Sequence, residues 1–430
     1  MSLIFDPVYN INIPVPCYLT KIINTIEFKR LKNIKQLGNT HYLYPSATHT
    51  RFEHSIGVSY LAGELLSTLQ KKQPELQITN RDKELVQVAG LCHDIGHACF
   101  SHLFDSFLKK NNIIKNSDDS DCEENQEIED SNEKLVDHEN RSLRIISDMN
   151  LKYSLGYNQD EITFIKDLIK GKRSPYIRKS NFYYEIIANN ISGLDCDKID
   201  YLLRDSRNAL GVINPINYDL LIKTARVIED TICYEDSCGY ILYQLFSLRS
   251  SMHKRVYQHE KVISYDCIIT DILELIDKEE DILNNISNLD YFYKFTDDII
   301  DKFLYKTENK DIKLLYNRLY KDDLYKCMKK FIFKDKKEAK RKESKINEII
   351  KRNNSNNIFK VNFSKINFGY NNKNPVNKIY FYSEQDLNSK FKKKKDDISF
   401  TLPNIFEEYI IRIFCKNPSY YSTNLDFFDV

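Results

Sequence analysis

No two of the ten cysteines in this 430-residue sequence stand in CxxC spacing; they fall at 17, 92, 99, 122, 196, 233, 238, 267, 327 and 415. The pattern speaks against a zinc ribbon or a disulfide framework and for reduced thiols in an intracellular protein. No run of about 18 apolar residues occurs, so no membrane-spanning helix is expected. The opening MSLIFDPVYN lacks a basic region followed by an apolar core. No secretory signal is therefore expected, and the location should be intracellular, cytoplasmic or nuclear. Net charge is small as well: 63 basic against 62 acidic side chains leave +1. No overall field draws such a chain to nucleic acid or to a membrane. No internal repeat is visible.

What is present is enough hydrophobic residue (42%) for a substantial core, in a length that suggests two or three domains. Residues 1–20 carry Pro7, Pro14 and Pro16 and read as an extended, irregular entry. Helical spacing of apolar residues runs from Leu19 to Leu37 and stops at Gly38, then recurs over 52–70 and 86–109. Residues 117–133 hold nine acidic side chains and read as a solvated, disordered insertion. Helical patterns follow at 138–150, 160–170, 182–207, 217–229, 240–262 and 264–304. In the last third, 329–352 reads as a lysine-rich helix, 376–383 as a strand and 402–416 as a closing amphipathic helix. The expected fold is mainly α: a helical core over 1–304 and a smaller α+β lobe over 305–430.

The stretch VQVAGLCHDIGHACFSHLFDSFLK concentrates His93, Asp94, His97, His102 and Asp105 between apolar residues. If helical, it sets His93 and His97 on one face, and His102 and Asp105 one turn apart. Burying so many titratable groups is costly unless they are paired or bind metal, so the stretch reads as a site. His54, His93, Asp94 and Asp197 form a mixed N/O donor set that suits iron, manganese, zinc or nickel. It suits calcium poorly, and magnesium prefers oxygen alone. His97, His102, Asp105 and His138 form a second group, in which a His102–Asp105 pair can serve as acid and base. Asp197, Lys198, Tyr201 and Asp205 share one stripe of a helix about 100° wide. Arg249, His253 and Tyr257 stand four residues apart along another helix.

The spaced H…HD…D pattern resembles the HD-domain metal-dependent phosphohydrolases. The segments QLGNTHYLYPSATHTRFEHSIGVSYLAGEL, QVAGLCHDIGHACFSHLFD, LDCDKIDYLLRDS and RSSMHKRVYQHEK narrow the match. Together they are similar to the vertebrate family of SAM- and HD-domain-containing deoxynucleoside triphosphohydrolases, over most of residues 4–416. No SAM domain is expected ahead of the catalytic motifs.

The resemblance implies hydrolysis of deoxynucleoside triphosphates to deoxynucleoside and inorganic triphosphate, by a homodimer. A divalent metal would sit on His54, His93, Asp94 and Asp197, with magnesium on the substrate phosphates. It implies α-phosphate contacts from His97 and His138, with His102 and Asp105 as the acid–base pair. Arg51, Lys198, Tyr201, Arg249 and His253 would meet the triphosphate. Gln36, Leu37, Asp205 and Tyr257 would meet the sugar, with Leu37 crowding the 2′ carbon so that ribonucleotides are rejected.

The sequence departs from the family where nucleotides induce tetramers. Asn24, Lys29, Lys32 and the stretch Ser2-Leu3-Ile4-Phe5 replace one activator site. Asn217, Ser237, Ile241 and Glu260 alter a second, in which Arg255 and His259 persist. Loss of nucleotide-triggered tetramerisation is the expectation. Two alternatives stand beside this reading: another HD phosphohydrolase acting on monophosphates or cyclic nucleotides, and a nucleic-acid-binding protein with a vestigial site. The latter would use the basic runs at 329–352 and 390–395.

Overall fold

The computed structural model describes residues 2–115, 137–422 and 428; the acidic stretch 117–133 lies outside them. The fold is mainly α, and the helices that matter for the site begin with Arg51–Lys72 (α1). Thr50 and Glu53 close a capping box at its start, which satisfies free N–H groups of the first turn. Asn80–Cys92 (α2), with its own Thr79–Asp82 capping box, packs along α1. His102–Lys115 (α3) and His138–Lys152 (α4) follow. Cys196–Leu210 (α5) starts at an Asp195 cap and stops at Gly211 in the left-handed conformation. Gly239–Met252 (α6) leads into a π turn over His253–Tyr257, before Glu260–Glu280 (α7). Helix α5 packs on both α1 and α6, and α7 packs on α3. Among the described residues no helix is long and apolar enough to cross a membrane.

Strands are more numerous than the sequence pattern suggests. The entry is an antiparallel hairpin of Ser2–Asp6 (β1) and Ile11–Val15 (β2), not irregular chain. The helical pattern at 217–229 ends at Thr224 and gives way to Arg226–Ile228 (β3) and Thr231–Glu235 (β4). Further on come Lys326–Phe333 (β5), Phe359–Asn367 (β6), Tyr380–Ser383 (β7), Asp386–Phe391 (β8) and Glu407–Cys415 (β9). The lysine-rich helix is correspondingly shorter, Lys336–Arg352 (α8).

The closing element is thus β9, the central strand of the sheet β5-β9-β6, and not a helix. Its alternate residues serve two cores: Ile411, Ile413 and Cys415 pack with Ile346 and Ile350 of α8, while Phe414 joins the main core. A strand covered on both faces is apolar throughout, and periodicity alone does not separate it from a buried helix. The second sheet runs β3-β4-β7-β8, with β4 and β7 parallel and Cys233 opposite Tyr380. It crosses the expected boundary at residues 304 and 305.

Replacing Ile411 by Ala should cost about 2–5 kcal/mol, the usual range for such a cavity, read as a lower thermal midpoint. An unchanged midpoint would contradict the doubly buried strand.

Candidate active site

The sequence motif VQVAGLCHDIGHACFSHLFD does not form one continuous helix. Helix α2 ends at Cys92, and residues 93–101 turn back through Phe100 (φ 59°) and Ser101 (φ 57°) before α3 begins at His102. Gly96 allows this turn to press against α4, because a Cβ there would lie 2.1 Å from the His138 carbonyl. Ser142 of α4 donates to the His93 carbonyl at 2.7 Å and accepts from the Gly96 N–H at 2.9 Å.

His54, His93, Asp94 and Asp197 meet at the junction of α1, α2 and α5. His54 Nε2 lies 3.0 Å from Asp197 Oδ1, 3.4 Å from Asp94 Oδ2 and 3.2 Å from His93 Nε2. His93 Nε2 lies 3.4 Å from Asp197 Oδ1 and 3.5 Å from Asp94 Oδ1. The outer nitrogens fix the tautomers. His54 Nδ1 faces Asp200 Oδ1 at 2.8 Å and His93 Nδ1 faces the Gly90 carbonyl at 2.8 Å. Both partners accept only, so both Nδ1 atoms carry hydrogen and both Nε2 atoms offer lone pairs.

With both rings neutral, His54, His93 and Asp94 therefore converge as acceptors, and Asp197 faces the two imidazoles. Ligands of an ion bound at about 2.1 Å stand about 3.0 Å apart when cis-octahedral and about 3.4 Å apart when tetrahedral. The observed separations fit, and so does the N/O donor set. With protons alone, burial opposes a charge on His54, yet its bonds to Asp197 and Asp200 prevail and lift its pKa to about 10. Asp197, 33% exposed, is the member that opens to solvent.

Residues behind these four hold them in place. Burial disfavours a charge on Asp200, but Arg204 and His54 keep its carboxyl below the usual range. Arg204 binds it twice, Nε to Oδ1 and Nη2 to Oδ2, each at 2.9 Å. Gly57 makes room for this pair, since a Cβ there would meet Asp200 Oδ2 at 1.8 Å. Arg51 is buried; its guanidinium bonds Asp94 and donates to Ser101 Oγ at 2.9 Å. The structure thus places the Arg51 guanidinium on the Asp94 carboxylate.

His97, His102, Asp105 and His138 also come together, with donor atoms within 4.8 Å of one another. The expected His102–Asp105 pair does not form. Asp105 Oδ2 instead accepts from His138 Nδ1 at 2.6 Å, and Oδ1 accepts from Arg141. His138 stacks on His97 with ring centroids 3.8 Å apart. His102 stands edge-on to both, at 5.0 Å and 5.3 Å. Both ring nitrogens of His97 are buried without a hydrogen bond. Desolvation within the cluster, then the neighbouring Arg51 and His138, lowers His102 to about 4, although this side chain is the exposed member of the group. Burial, then Arg249 and His102, lowers His253 to about 3.

Of the remaining expected residues, Lys198 is half-buried, with its ammonium 3.4 Å from Asp195. Arg249 Nη1 donates to the Asn367 carbonyl at 2.7 Å and to its side-chain oxygen at 2.9 Å. Its charge is felt at Lys198, Tyr201 and His253, which places these four in one neighbourhood. Tyr257 donates to Asp205 Oδ2 at 2.7 Å, and His49 Nε2 bonds Asp205 Oδ1 at 2.7 Å. Gln36 is buried with Oε1 unpartnered, and Leu37 packs on the main core. Sequence reasoning did not single out Asp200, Arg204, His49 or Arg141. The first two carried a signal, a carboxylate and an arginine four apart on an apolar-flanked helix; His49 and Arg141 carried none.

Residues 51–205 match the HD domain. The chain is 34% identical over 426 residues to the deoxynucleoside triphosphate triphosphohydrolase SAMHD1 homolog of Dictyostelium discoideum, covering 97% of this chain and 78% of that protein. This chain belongs to the SAMHD1 family. Human deoxynucleoside triphosphate triphosphohydrolase SAMHD1 is also 34% identical, over 454 residues, with 97% of this chain and 70% of the human protein covered. A putative HD domain-containing protein of Acanthamoeba polyphaga mimivirus is 30% identical over 440 residues, with 92% and 88% covered. In this SAMHD1-family chain the HD segment holds the four acceptors and the histidine cluster, while Arg249, His253 and Tyr257 come from beyond it.

Two outcomes are expected. Gly57→Ala should displace Asp200 and weaken metal retention by roughly 10-fold or more, measured as metal content after dialysis against chelator; full retention would contradict the packing. The second concerns pH. His253 has a folded pKa of about 3, below its ordinary 6.5, so the unfolded chain takes up its proton first as pH falls. Its stabilising share is full above 6.5 and declines toward 3. Thermal midpoints from about pH 7 to about pH 4 should fall less steeply in His253→Gln than in wild type.

Proposed function

We propose that this chain hydrolyses deoxynucleoside triphosphates to deoxynucleoside and inorganic triphosphate. The observation that carries the reading is the adjacency of two unlike clusters. Three buried acceptors and the part-exposed Asp197, suited to a divalent cation, adjoin a cluster of three histidines, and near it Arg249 meets only the neutral Asn367. A triphosphate ester would balance both. The names of the Dictyostelium and human relatives point to the same substrate class.

A divalent ion on His54, His93, Asp94 and Asp197 would supply Lewis acidity at the α-phosphoryl group and activate a water; magnesium would accompany the outer phosphates. The chain's own groups do the rest. Asp105 holds His138 through Nδ1 and so orients that ring toward the α-phosphate, with His97 stacked beside it. His102 is uncharged near neutral pH and can accept the proton of the attacking water. The water oxygen bonds the α-phosphorus, the bond to the 5′ oxygen breaks, and the proton ends on that oxygen. Arg51, Lys198, Tyr201, Arg249 and His253 neutralise the polyphosphate, and Arg51 also keeps Asp94 in place. Gln36, with its unpartnered amide oxygen, Leu37, Asp205 and Tyr257 line the sugar. Activation by guanine nucleotide, with its tetramer assembly, is lost in this reading, because Asn24, Lys29, Lys32 and Glu260 change the chemistry of those sites; a homodimer would be the working form.

Purified protein given each of the four deoxynucleoside triphosphates with manganese or magnesium, without GTP, should release inorganic triphosphate. Asp197→Ala should reduce the rate to background. Orthophosphate as the first product would favour a different phosphohydrolase. Large stimulation by GTP with a matching rise in oligomer mass would refute the loss of activation.

A further inference from the structure

The carboxylate of Asp200 lies wholly buried behind the metal site, and its four lone-pair positions are filled. His54 Nδ1 and Arg204 Nε reach Oδ1, at 2.8 Å and 2.9 Å. Arg204 Nη2 reaches Oδ2 at 2.9 Å, and the Tyr9 hydroxyl donates to Oδ2 at 2.6 Å. Three of these donors sit on α1 and α5. The fourth comes from the turn of the N-terminal hairpin, 191 residues away in sequence.

That turn is built around the same network. Asp6 Oδ2 accepts from Arg204 Nη2 at 2.8 Å, while Oδ1 accepts the N–H groups of Val8 at 2.8 Å and Tyr9 at 3.3 Å. The Tyr9 ring lies between Tyr60, at 5.2 Å, and Tyr218, at 5.4 Å. Burial and the Asp200 charge push the Tyr9 phenol well above its ordinary value, so it remains a donor. Among the described residues the hairpin has two strands and no third, and its outer Leu3 and Phe5 are exposed. An isolated two-stranded hairpin is marginal in water. Its placement therefore depends on docking through Asp6, Tyr9 and the buried Val8, Ile13 and Val15.

We propose that the hairpin tip is a positioning element of the metal centre. The Tyr9 hydroxyl fixes Asp200, Asp200 fixes the tautomer of His54, and metal retention and hairpin docking support one another. This rests on the reading that His54, His93, Asp94 and Asp197 hold a divalent ion. Groups behind a metal ligand typically change affinity by about 10–100-fold. Linkage requires the effect to be reciprocal: if docking tightens metal binding, metal tightens docking by the same factor.

The test uses the full chain as wild type, Tyr9→Phe, Tyr60→Phe and Asp197→Ala. Tyr60→Phe removes a hydroxyl beside Tyr9 without touching Asp200. Each protein is loaded with Mn2+, challenged with excess chelator, and followed by electron paramagnetic resonance. Amide hydrogen exchange of residues 2–15 is measured with and without Mn2+. Tyr9→Phe should lose manganese on the order of 10-fold faster than wild type, with Tyr60→Phe unchanged. Manganese should slow exchange in the wild-type hairpin, and less so in Tyr9→Phe. Equal retention by Tyr9→Phe, or wild-type hairpin exchange indifferent to manganese, overturns the proposal. The exchange measurement on wild type decides even if the variant folds poorly. Wild type that holds no manganese, or Asp197→Ala that holds it equally, overturns the metal reading itself.

Discussion

Two imidazole Nε2 atoms stand 3.2 Å apart, each 3.0–3.5 Å from carboxylate oxygens of Asp94 and Asp197, and with the rings neutral these acceptors repel one another unless a cation lies among them. Everything around the site works against that repulsion from outside. Asp200 grips the far side of His54, the Gly90 carbonyl grips the far side of His93, and the Arg51 guanidinium holds Asp94. Each outer partner is itself braced by packed helices, so the geometry is supported by the rigidity of α1, α2 and α5. Gly57 belongs to the same constraint, because the helix carrying His54 must let a buried ion pair lie directly against it.

Charge is distributed unevenly across the cleft. The acceptor corner is anionic, while the stacked His97 and His138 adjoin it and Arg249, Lys198 and His253 share a neighbourhood beside it. Burial first, and then neighbouring cationic groups such as Arg249 and Arg51, depresses the pKa values of His253 and His102. A polyanionic ester coordinated at one end and neutralised along its length satisfies both sides, and a small neutral substrate would satisfy neither.

The acceptor set was legible in the sequence because histidine and aspartate are rarely placed together between apolar residues without a use. Pairing was less legible. His102 and Asp105 are one turn apart on α3, yet the carboxylate turns to His138 and Arg141 on α4, a choice made by helix packing. The turn at 93–101 was hidden because apolar residues continue across it. The strand at Glu407–Cys415 was hidden for a related reason, being sandwiched between two cores. His49 and Arg141 gave no local sign; each acquires its role from a partner brought near only by the fold.

The parallel pairing of β4 with β7 has a consequence for the architecture as a whole. Everything from residue 236 to 379, including α6 and the His253–Tyr257 turn, is a loop closed by that pairing. The wall that carries Arg249 is therefore anchored at both ends, and Asn367 ties it to the C-terminal sheet as well. A shortened descendant that ended near residue 304 would keep all four acceptors but leave β4 with an unpaired, apolar edge, a surface prone to self-association. The strand-rich terminal third thus covers a strand edge of a helical domain it does not resemble.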